Sequence, residues 1–260
     1  MSRPWKSELS IRLGRSACMV QLCAPWSRRV LAQAQAEGAA ADALPAALAA
    51  LRAQGHDPLP VQARLLVPDE RVYLSLRPAA GSWRMARQEA STHFAAVLGR
   101  QDLHVQVMAL PVGSAWLAAA LEPGDLQDWQ RALADAGVRL AHVQLALLDD
   151  LRRIAAQVAD DAVVALMREE GMTLLRVQAG VPVALSWERC DPRVLRLAEQ
   201  RLLAFQGAGG GSDAMPLWML CRSPAQCAQW QDLAEGHRWT LLSQADAAPP
   251  APPAPAEVPA

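Results

Sequence analysis

The chain has 260 residues, of which 52% are apolar, and its 25 basic and 26 acidic residues give a net charge of -1. This length suffices for one large domain or two small ones with a real core. The balanced charge gives no strongly basic face, so we expect no nucleic-acid partner. The apolar runs are far shorter than the roughly 20 residues that a membrane helix needs, so we expect no direct membrane insertion.

Cysteine usage and the N-terminus indicate the compartment. The chain has five cysteines, and no two of them have the CxxC spacing of metal or redox motifs. This pattern suits reduced thiols in the cytosol. The N-terminus carries charge but no apolar h-region, so it does not form a signal peptide. We therefore expect a cytoplasmic protein that reaches a membrane only through a partner.

The first part of the chain predicts strands with two-residue alternation and helices with helical spacing. The predicted elements are strands Glu8–Leu13, Ala17–Cys23 and Val30–Ala36, helix Ala43–Gln54, strands Ala63–Val67 and Val72–Leu76, helix Trp83–Leu98, strand Leu103–Leu110 and a helix around Ser114–Leu121. Ser82 is predicted to cap the long helix at its N-terminus and Gly99 at its C-terminus.

One stretch organises this part of the chain. The runs Ala63–Val67 and Val72–Leu76 lie on either side of Pro68-Asp69-Glu70-Arg71. Proline fixes φ and aspartate hydrogen-bonds back to the chain, which is turn chemistry. The stretch therefore predicts a β-hairpin.

The second part of the chain begins near Pro123 and is read in the same way. The predicted elements are helix Leu126–Ala136 capped by Asp125, strand Val138–Leu145, helix Asp149–Ala159, strands Ala162–Met167, Met172–Gln178 and Val181–Trp187, helix Pro192–Phe205, strand Leu217–Cys221, helix Pro224–Gly236 and strand Trp239–Leu242. From Ala247 the chain is almost only proline and alanine, which predicts a disordered tail.

The order of these elements repeats. A three-strand meander, a helix and a strand–helix–strand unit start near residue 8 and again near residue 162. This order predicts an internal duplication into two α/β lobes. We expect a first lobe at residues 1–122, a second lobe at residues 123–245 and a tail at residues 246–260.

This duplicated order of elements, with the stretch Leu65–Tyr73 inside the first lobe, resembles that of the PilM/GspL family. These are actin-like (ribonuclease-H-like) proteins from the assembly platforms of type IV pili and type II secretion. Over residues 8 to 242 similar elements follow in order, at Arg87-Gln88-Glu89-Ala90, Gly113-Ser114, Ala136-Gly137-Val138 and Ala162-Val163-Val164. The resemblance implies an α/β fold of two duplicated actin-like lobes, each a mixed sheet flanked by helices.

The resemblance also implies where an actin-like ATPase would hold phosphates, and this chain departs from that pattern. Each phosphate loop would need an Asp-x-Gly motif. Its aspartate holds the water bound to magnesium, and its glycine brings backbone N–H groups close to the phosphates. The first lobe has Arg12 and Gly14 at these positions, and the second has about Ala165 and Met167. The adenosine-side glycine pair is also missing, near Cys221-Arg222-Ser223. We therefore expect no nucleotide cofactor, no metal and no catalytic residues; Arg12 is either a solvated turn residue or a direct anion contact.

Other candidate motifs give weaker signals. Gly209–Asp213 is not followed by GK[ST], so it is interpreted as a flexible connection rather than a P-loop. The pairs Asp149-Asp150 and Asp160-Asp161 are interpreted as helix-capping or exposed charge, with a metal site as the alternative. Most tryptophans fit either core packing or an interface, and Trp5 and Trp26 are expected to be exposed.

Three hypotheses for function follow. In the first, the chain is a non-catalytic scaffold of a pilus or secretion platform on the cytoplasmic face of the inner membrane. The resemblance implies a PilN-like partner, whose cytoplasmic segment would dock in a groove of the first lobe through backbone and apolar contacts; self-association as a homo-oligomer stays open. In the second, the chain is an ATPase or sugar-kinase-like enzyme with phosphate contacts rewired through Arg12 and the glycine loop. In the third, it is an α/β interaction domain unrelated to pili.

Overall fold

The structure, a computed structural model, describes residues 7–14, 16–24, 29–78, 82–112, 115–191, 194–208 and 215–243. Its elements in chain order are β1 (Glu8–Leu13), β2 (Ala17–Cys23), β3 (Val30–Glu37), α1 (Ala40–Ala53), β4 (Gln62–Val67), β5 (Tyr73–Pro78), α2 (Trp83–Leu98), β6 (His104–Ala109), β7 (Ala115–Leu121), α3 (Pro123–Asp135), β8 (Arg139–Leu145), α4 (Ala146–Ile154), β9 (Ala162–Met167), β10 (Gly171–Gln178), β11 (Val181–Arg189), α5 (Leu195–Gly207), β12 (Leu217–Cys221), α6 (Pro224–His237) and β13 (Thr240–Ser243). Within these ranges, no helix combines the length and the apolar character needed to cross a membrane.

The first sheet has five strands in the order β3-β2-β1-β4-β8. The strands β1, β2 and β3 form an antiparallel meander, and β4 and β8 extend the sheet in parallel from β1. Alternate residues of β1, including Leu9 and Ile11, are fully buried in a core with α1 and α3. Trp129 of α3 belongs to the same core and is 2% exposed.

The second sheet repeats this arrangement. Its order is β11-β10-β9-β12-β13, with an antiparallel meander of β9, β10 and β11 followed by β12 and β13 in parallel. The helices α5 and α6 contribute Leu202 and Trp230 to its core. The two sheets therefore share one strand order, and the predicted α/β fold with an internal duplication is confirmed.

The hairpin predicted across Pro68-Asp69-Glu70-Arg71 is wrong. A short 3-10 helix at Asp69–Arg71 does turn the chain there. However, β4 lies in the first sheet between β1 and β8, whereas β5 belongs to a three-stranded sheet of order β5-β7-β6. The local turn signal was correct, but the partners of each strand come from distant parts of the sequence.

The helix predicted around Ser114–Leu121 is also wrong, because β7 is a strand at the centre of the three-stranded sheet. Its sequence, AWLAAAL, consists mostly of strong helix formers. Six of its seven residues are buried, and burial between two neighbouring strands outweighs this weak propensity. Gly113 and Ser114, which the resemblance placed before this element, lie outside the described residues.

Several helix boundaries and faces differ from the prediction. The helices α1, α3 and α4 begin before the predicted Ala43, Leu126 and Asp149, and neither α1 nor α3 has a side-chain cap that could mark its start. On α5 the buried residues are Ala198, Leu202 and Gln206. Val194, Leu197 and Leu203, at or next to the same helix, are exposed.

The helix α2 has the predicted bounds and caps. The Ser82 side chain accepts a hydrogen bond from the Met85 amide at 3.4 Å, and Gly99 ends the helix with a φ of +67°. A left-handed residue at this position favours glycine. Serine and glycine at these places are the strongest boundary signals in the sequence.

The chain divides into two compact units: Met1–Ser75, Gly81–Val107 and Ala118–Ala146 form one, and Leu76–Ala80, Met108–Leu117 and Leu147–Ala260 form the other. The expected boundary lay between residues 122 and 123. In the structure, α3 and β8 follow that point but belong with the first sheet, because β8 pairs with β4. The predicted tail at residues 246–260 lies outside the described residues.

We predict that the buried cysteines resist alkylation in the folded protein. Burial raises the pKa of Cys18 to about 12, and burial, together with the hydrogen bond between the Cys221 and Cys227 thiols, also raises the pKa of Cys221. The thiolate is the nucleophile, so at pH 8 iodoacetamide should label Cys227, which is partly exposed, before the other two. Mass spectrometry after labelling, with a urea-unfolded sample as control, measures the order. Early labelling of Cys18 would contradict this packing.

Candidate functional site

The first candidate site is the turn between β1 and β2, where Arg12 and Gly14 lie. Arg12 is half-buried on β1, between Met19 of β2 and Leu66 of β4 in the sheet register. The Gly14 amide donates to the Ala17 carbonyl at 2.7 Å. This N–H group therefore closes the hairpin and is already used within the chain.

The second candidate site is the turn between β9 and β10. Ala165 and Met167 are both fully buried in the core with α5 and α6, so neither side chain reaches a ligand. The turn itself follows at Arg168, whose amide donates to the Gly171 carbonyl at 2.8 Å. Gly171 has no room for a side chain, because a Cβ atom there would lie 2.1 Å from the Glu188 carbonyl oxygen.

A buried ion pair occupies this second turn. Arg168 is 5% exposed, and its Nη1 atom donates to Oδ2 of the buried Asp150 at 2.5 Å. The carboxylate comes from α4, which also carries the neighbouring buried Asp149, paired with Arg153 one helical turn later at 3.2 Å. Arg168 and Asp150 thus lie beside the turn at which the resemblance implied phosphate contacts.

The outer residues of the second turn are also paired within the chain. Glu169 lies 3.1 Å from Nη1 of Arg222, and Glu170 lies 3.2 Å from Nη2 of Arg189. Arg222 stands where the resemblance implied an adenosine-side glycine, and its amide donates to Oε1 of Gln226 at 2.8 Å. The two outer carboxylates of the turn are therefore both neutralised by arginines of the same chain.

The acidic pairs have structural roles. Asp149 and Asp150 were interpreted as helix-capping or exposed charge; both are buried and ion-paired, so the exposed-charge alternative is wrong for them. Asp161 accepts a hydrogen bond from the Ala179 amide at 2.8 Å, and the Asp160 carbonyl accepts one from Gly180 at 2.8 Å. In the described ranges, no three His, Cys, Asp or Glu side chains are grouped to hold a metal ion.

A third candidate site is a groove of about 450 Å³ along α2. Its lining residues are Met85, Gln88, Glu89, Thr92 and His93. Met85 is 56% exposed, and it supplies a flexible apolar surface beside the polar groups. From the sequence, part of this segment, Arg87–Ala90, was indicated only by the resemblance to the PilM/GspL family.

The N-terminal end of α2 is held in place by Trp83. Its Nε1 atom donates to the Val107 carbonyl of β6 at 3.0 Å, and the Arg87 guanidinium lies over its ring at 5.5 Å. On the opposite side of the helix, Ala90 and Phe94 are buried. The helix therefore has one packed side and one side available to a partner.

The tryptophans divide between these roles. Trp129, Trp230 and Trp239 are buried and belong to the two cores, whereas Trp83 is 44% exposed. Trp5 and Trp26, which were expected to be exposed, lie outside the described residues.

Comparison in sequence finds neither a matching family model nor a matching curated protein. Comparison of structures finds several actin-like proteins. The PilM-PilN type IV pilus biogenesis complex matches with a TM-score of 0.69 at 13% identity, over 92% of this chain and 88% of that one. A Bacteroides thetaiotaomicron protein of unknown function with an actin-like ATPase fold matches with a TM-score of 0.63 at 12% identity, over 94% and 93%.

The cytoplasmic domain of EpsL, an inner-membrane component of the Vibrio cholerae type II secretion system, matches with a TM-score of 0.53 at 14% identity, over 82% and 81% of the two chains. At these identities the likeness concerns the fold. The chain has an actin-like fold, as the resemblance to the PilM/GspL family implied, and proteins of that family are among the similar structures.

We predict that Arg168 and Asp150 stabilise the fold as a coupled pair. Either Arg168→Met or Asp150→Leu should lower the free energy of unfolding by about 3–5 kcal/mol, because each leaves a buried charge without its partner. The double variant should lose clearly less than the sum of the two. Urea unfolding measures all three, with Arg131→Met as the control.

The Arg131–Asp128 pair suits this control because its side chains are 71% and 55% exposed, so its loss should change stability by less than about 0.5 kcal/mol. Additive losses in the Arg168/Asp150 cycle would contradict the coupling.

Proposed function

We propose that this actin-like chain is a non-catalytic scaffold of a type IV pilus or type II secretion-like assembly platform, and that it binds a short segment of a PilN-type partner. The observation that carries the proposal is the Arg168–Asp150 ion pair in the second turn. A working ATPase needs that turn for phosphate and magnesium. Here a buried pair holds the turn without any ligand.

The first turn supports the same conclusion. Its residue at the carboxylate position is Arg12, and an arginine cannot hold magnesium or its water shell. The amide of Gly14 bonds within the hairpin. With both turns altered, nucleotide hydrolysis has no visible machinery among the described residues, and a binding role is the better account of a chain that keeps the same strand order in its two sheets.

The groove along α2 is the proposed docking site. Met85 offers an adaptable apolar contact, while Thr92 and His93 offer hydrogen-bond groups and Glu89 offers a negative charge. A short extended segment with an apolar side chain and a basic residue fits this combination. The likeness to a solved PilM-PilN complex supports a PilN-type partner of this kind.

The proposed location follows from the partner. A PilN-type protein would hold the chain on the cytoplasmic face of the inner membrane, so the chain needs no membrane helix of its own for this role. The EpsL cytoplasmic domain, from an inner-membrane component of a secretion system, supports a site of action there.

We predict no magnesium-dependent ATP binding. Isothermal titration of the protein with ATP and Mg²⁺ should give no more heat than titration with ATP alone, because Arg12 stands at the carboxylate position of the first turn and the carboxylates beside the second turn are ion-paired within the chain. A known actin-like ATPase serves as the positive control. Tight Mg²⁺-dependent binding would replace the scaffold with the enzyme hypothesis.

We predict that Thr92→Arg weakens partner binding and that Ser91→Arg does not. The two residues are adjacent and exposed, and each hydroxyl donates to the carbonyl four residues earlier, at 3.1 and 3.0 Å. Only Thr92 lines the groove. A bulky cation there should weaken binding of a peptide from the cytoplasmic segment of a PilN-type protein by about tenfold or more. Equal effects of the two substitutions, measured by fluorescence anisotropy, would contradict docking on this side of α2.

A further inference from the structure

We propose that Cys221 and Cys227 form a modification site, at which a hydroperoxide oxidises the two thiols to a reversible disulfide. Cys221 is the last residue of β12, and Cys227 lies near the start of α6. The site belongs to the second sheet and its helix, and it does not include the groove along α2. The inference therefore does not rest on the proposed scaffold role.

The connection between β12 and α6 holds the two cysteines in place. The Ser223 side chain accepts a hydrogen bond from the Gln226 amide at 3.2 Å, and the Ser223 carbonyl accepts one from the Cys227 amide at 3.1 Å. The Arg222 amide donates to Oε1 of Gln226 at 2.8 Å. These three bonds fix a tight connection, in which only Arg222 and Ser223 separate the strand from the helix.

The fold turns Cys227 towards the core that contains Cys221. Trp230 and Ala234 are buried, and they share one helical face with Cys227 because they follow it at helical spacing. Cys221 is fully buried in this core, and Cys227 packs against it. The two thiols are hydrogen-bonded to each other. Two sulfur atoms from different elements therefore meet at the sheet end of α6.

This contact leaves little distance for bond formation. A disulfide places its sulfur atoms at about 2.05 Å, so the pair has to close only the remainder of a hydrogen-bond contact. A thiol is a weak donor and a weak acceptor, so the existing hydrogen bond offers little resistance. Because Cys221 is fully buried, the arrangement favours a bond within the chain over a bond to a second chain.

The different exposure of the two thiols assigns their roles. Cys227 is partly exposed, whereas Cys221 is buried. Burial also raises the pKa of Cys221, so this thiol stays protonated at neutral pH and does not itself attack an oxidant. Accessible cysteines beside a second, resolving cysteine are the kind that peroxides oxidise. Cys227 is therefore the attacking residue, and Cys221 is the resolving one.

The first step transfers an oxygen atom to Cys227. Its thiolate sulfur attacks one oxygen of the hydroperoxide, and the O–O bond breaks. The other oxygen takes up the proton that the thiol had lost and leaves as water or as an alcohol. Cys227 is then a sulfenic acid.

The second step closes the disulfide. The Cys221 sulfur attacks the Cys227 sulfur, the S–O bond breaks, and the departing hydroxide takes the Cys221 proton to become water. In total the two thiols lose two electrons and two protons, and the peroxide gains both. An added thiol reverses the change, because its thiolate attacks the disulfide and two thiol molecules are oxidised in turn.

The test treats the reduced full-length protein with hydrogen peroxide and follows it by mass spectrometry. The wild type should lose two hydrogen atoms, or about 2 Da, and its tryptic peptides should contain a Cys221–Cys227 link. Dithiothreitol should restore the original mass. Cys221→Ala should stop at a sulfenic acid on Cys227, which dimedone traps. Cys227→Ala should slow the oxidation of Cys221 by about tenfold or more, because the buried thiol then faces the oxidant alone.

The matched control is Cys190→Ala, because Cys190 is buried in the same core and lies outside the pair. This variant should form the Cys221–Cys227 link at the rate of the wild type, and circular dichroism should show that every variant is folded. A wild type that keeps both thiols, or that carries Cys227 on to a sulfinic acid without a link, would overturn the inference. Oxidation of Cys221 at an unchanged rate in Cys227→Ala would overturn it as well.

Discussion

The buried contact between Arg168 and Asp150 is the constraint on which the second sheet's turn depends. Moving a guanidinium and a carboxylate out of water costs several kcal/mol, and only close geometry with further hydrogen bonds offsets that cost. A separation of 2.5 Å provides this geometry. Once the pair is buried, neither partner can leave alone, so α4 and the β9–β10 turn are held together. A nucleotide is then not required to order this part of the fold.

The rest of the turn is consistent with a closed structure rather than a ligand site. Gly171 brings β10 so close to β11 that no side chain fits, and the acidic residues of the turn are matched by Arg222 and Arg189. Each charge in the turn has a partner in the same chain. An incoming phosphate would have to displace one of these partners, and it would leave a carboxylate facing it.

Much of the fold could be predicted from the sequence because its signals are local. The strands β1, β2, β9 and β12 have the predicted bounds, since alternation and short apolar runs identify strands. The same reasoning failed for β7, where alanine and leucine indicate a helix locally, and for the pairing of β4 with β5. Strand pairing is decided between residues far apart in sequence, and no local pattern encodes it.

The candidate site shows the same limit. The absence of an Asp-x-Gly motif at Arg12, Ala165 and Met167 is visible in the sequence itself, whereas the assignment of these positions to phosphate loops stays a prediction. The role of Arg168 could not be predicted, since its partner lies 18 residues earlier and only the fold brings the two together. Asp149 and Asp150 were misjudged for this reason: two adjacent acids suggest an exposed helix end unless their arginine partners are known.

The two duplicated sheets differ in which of their surfaces remain accessible to a partner. Around the second sheet, the turn is filled by ion pairs, and the outer strands are protected by proline, by charge or by shortness. The first sheet keeps an unprotected edge at β3, and the same unit carries the groove along α2. A protein that only needed a stable fold would gain nothing from an unguarded edge, because such an edge invites aggregation. Both open surfaces belong to one unit, which is therefore the unit to which we assign the proposed partner binding.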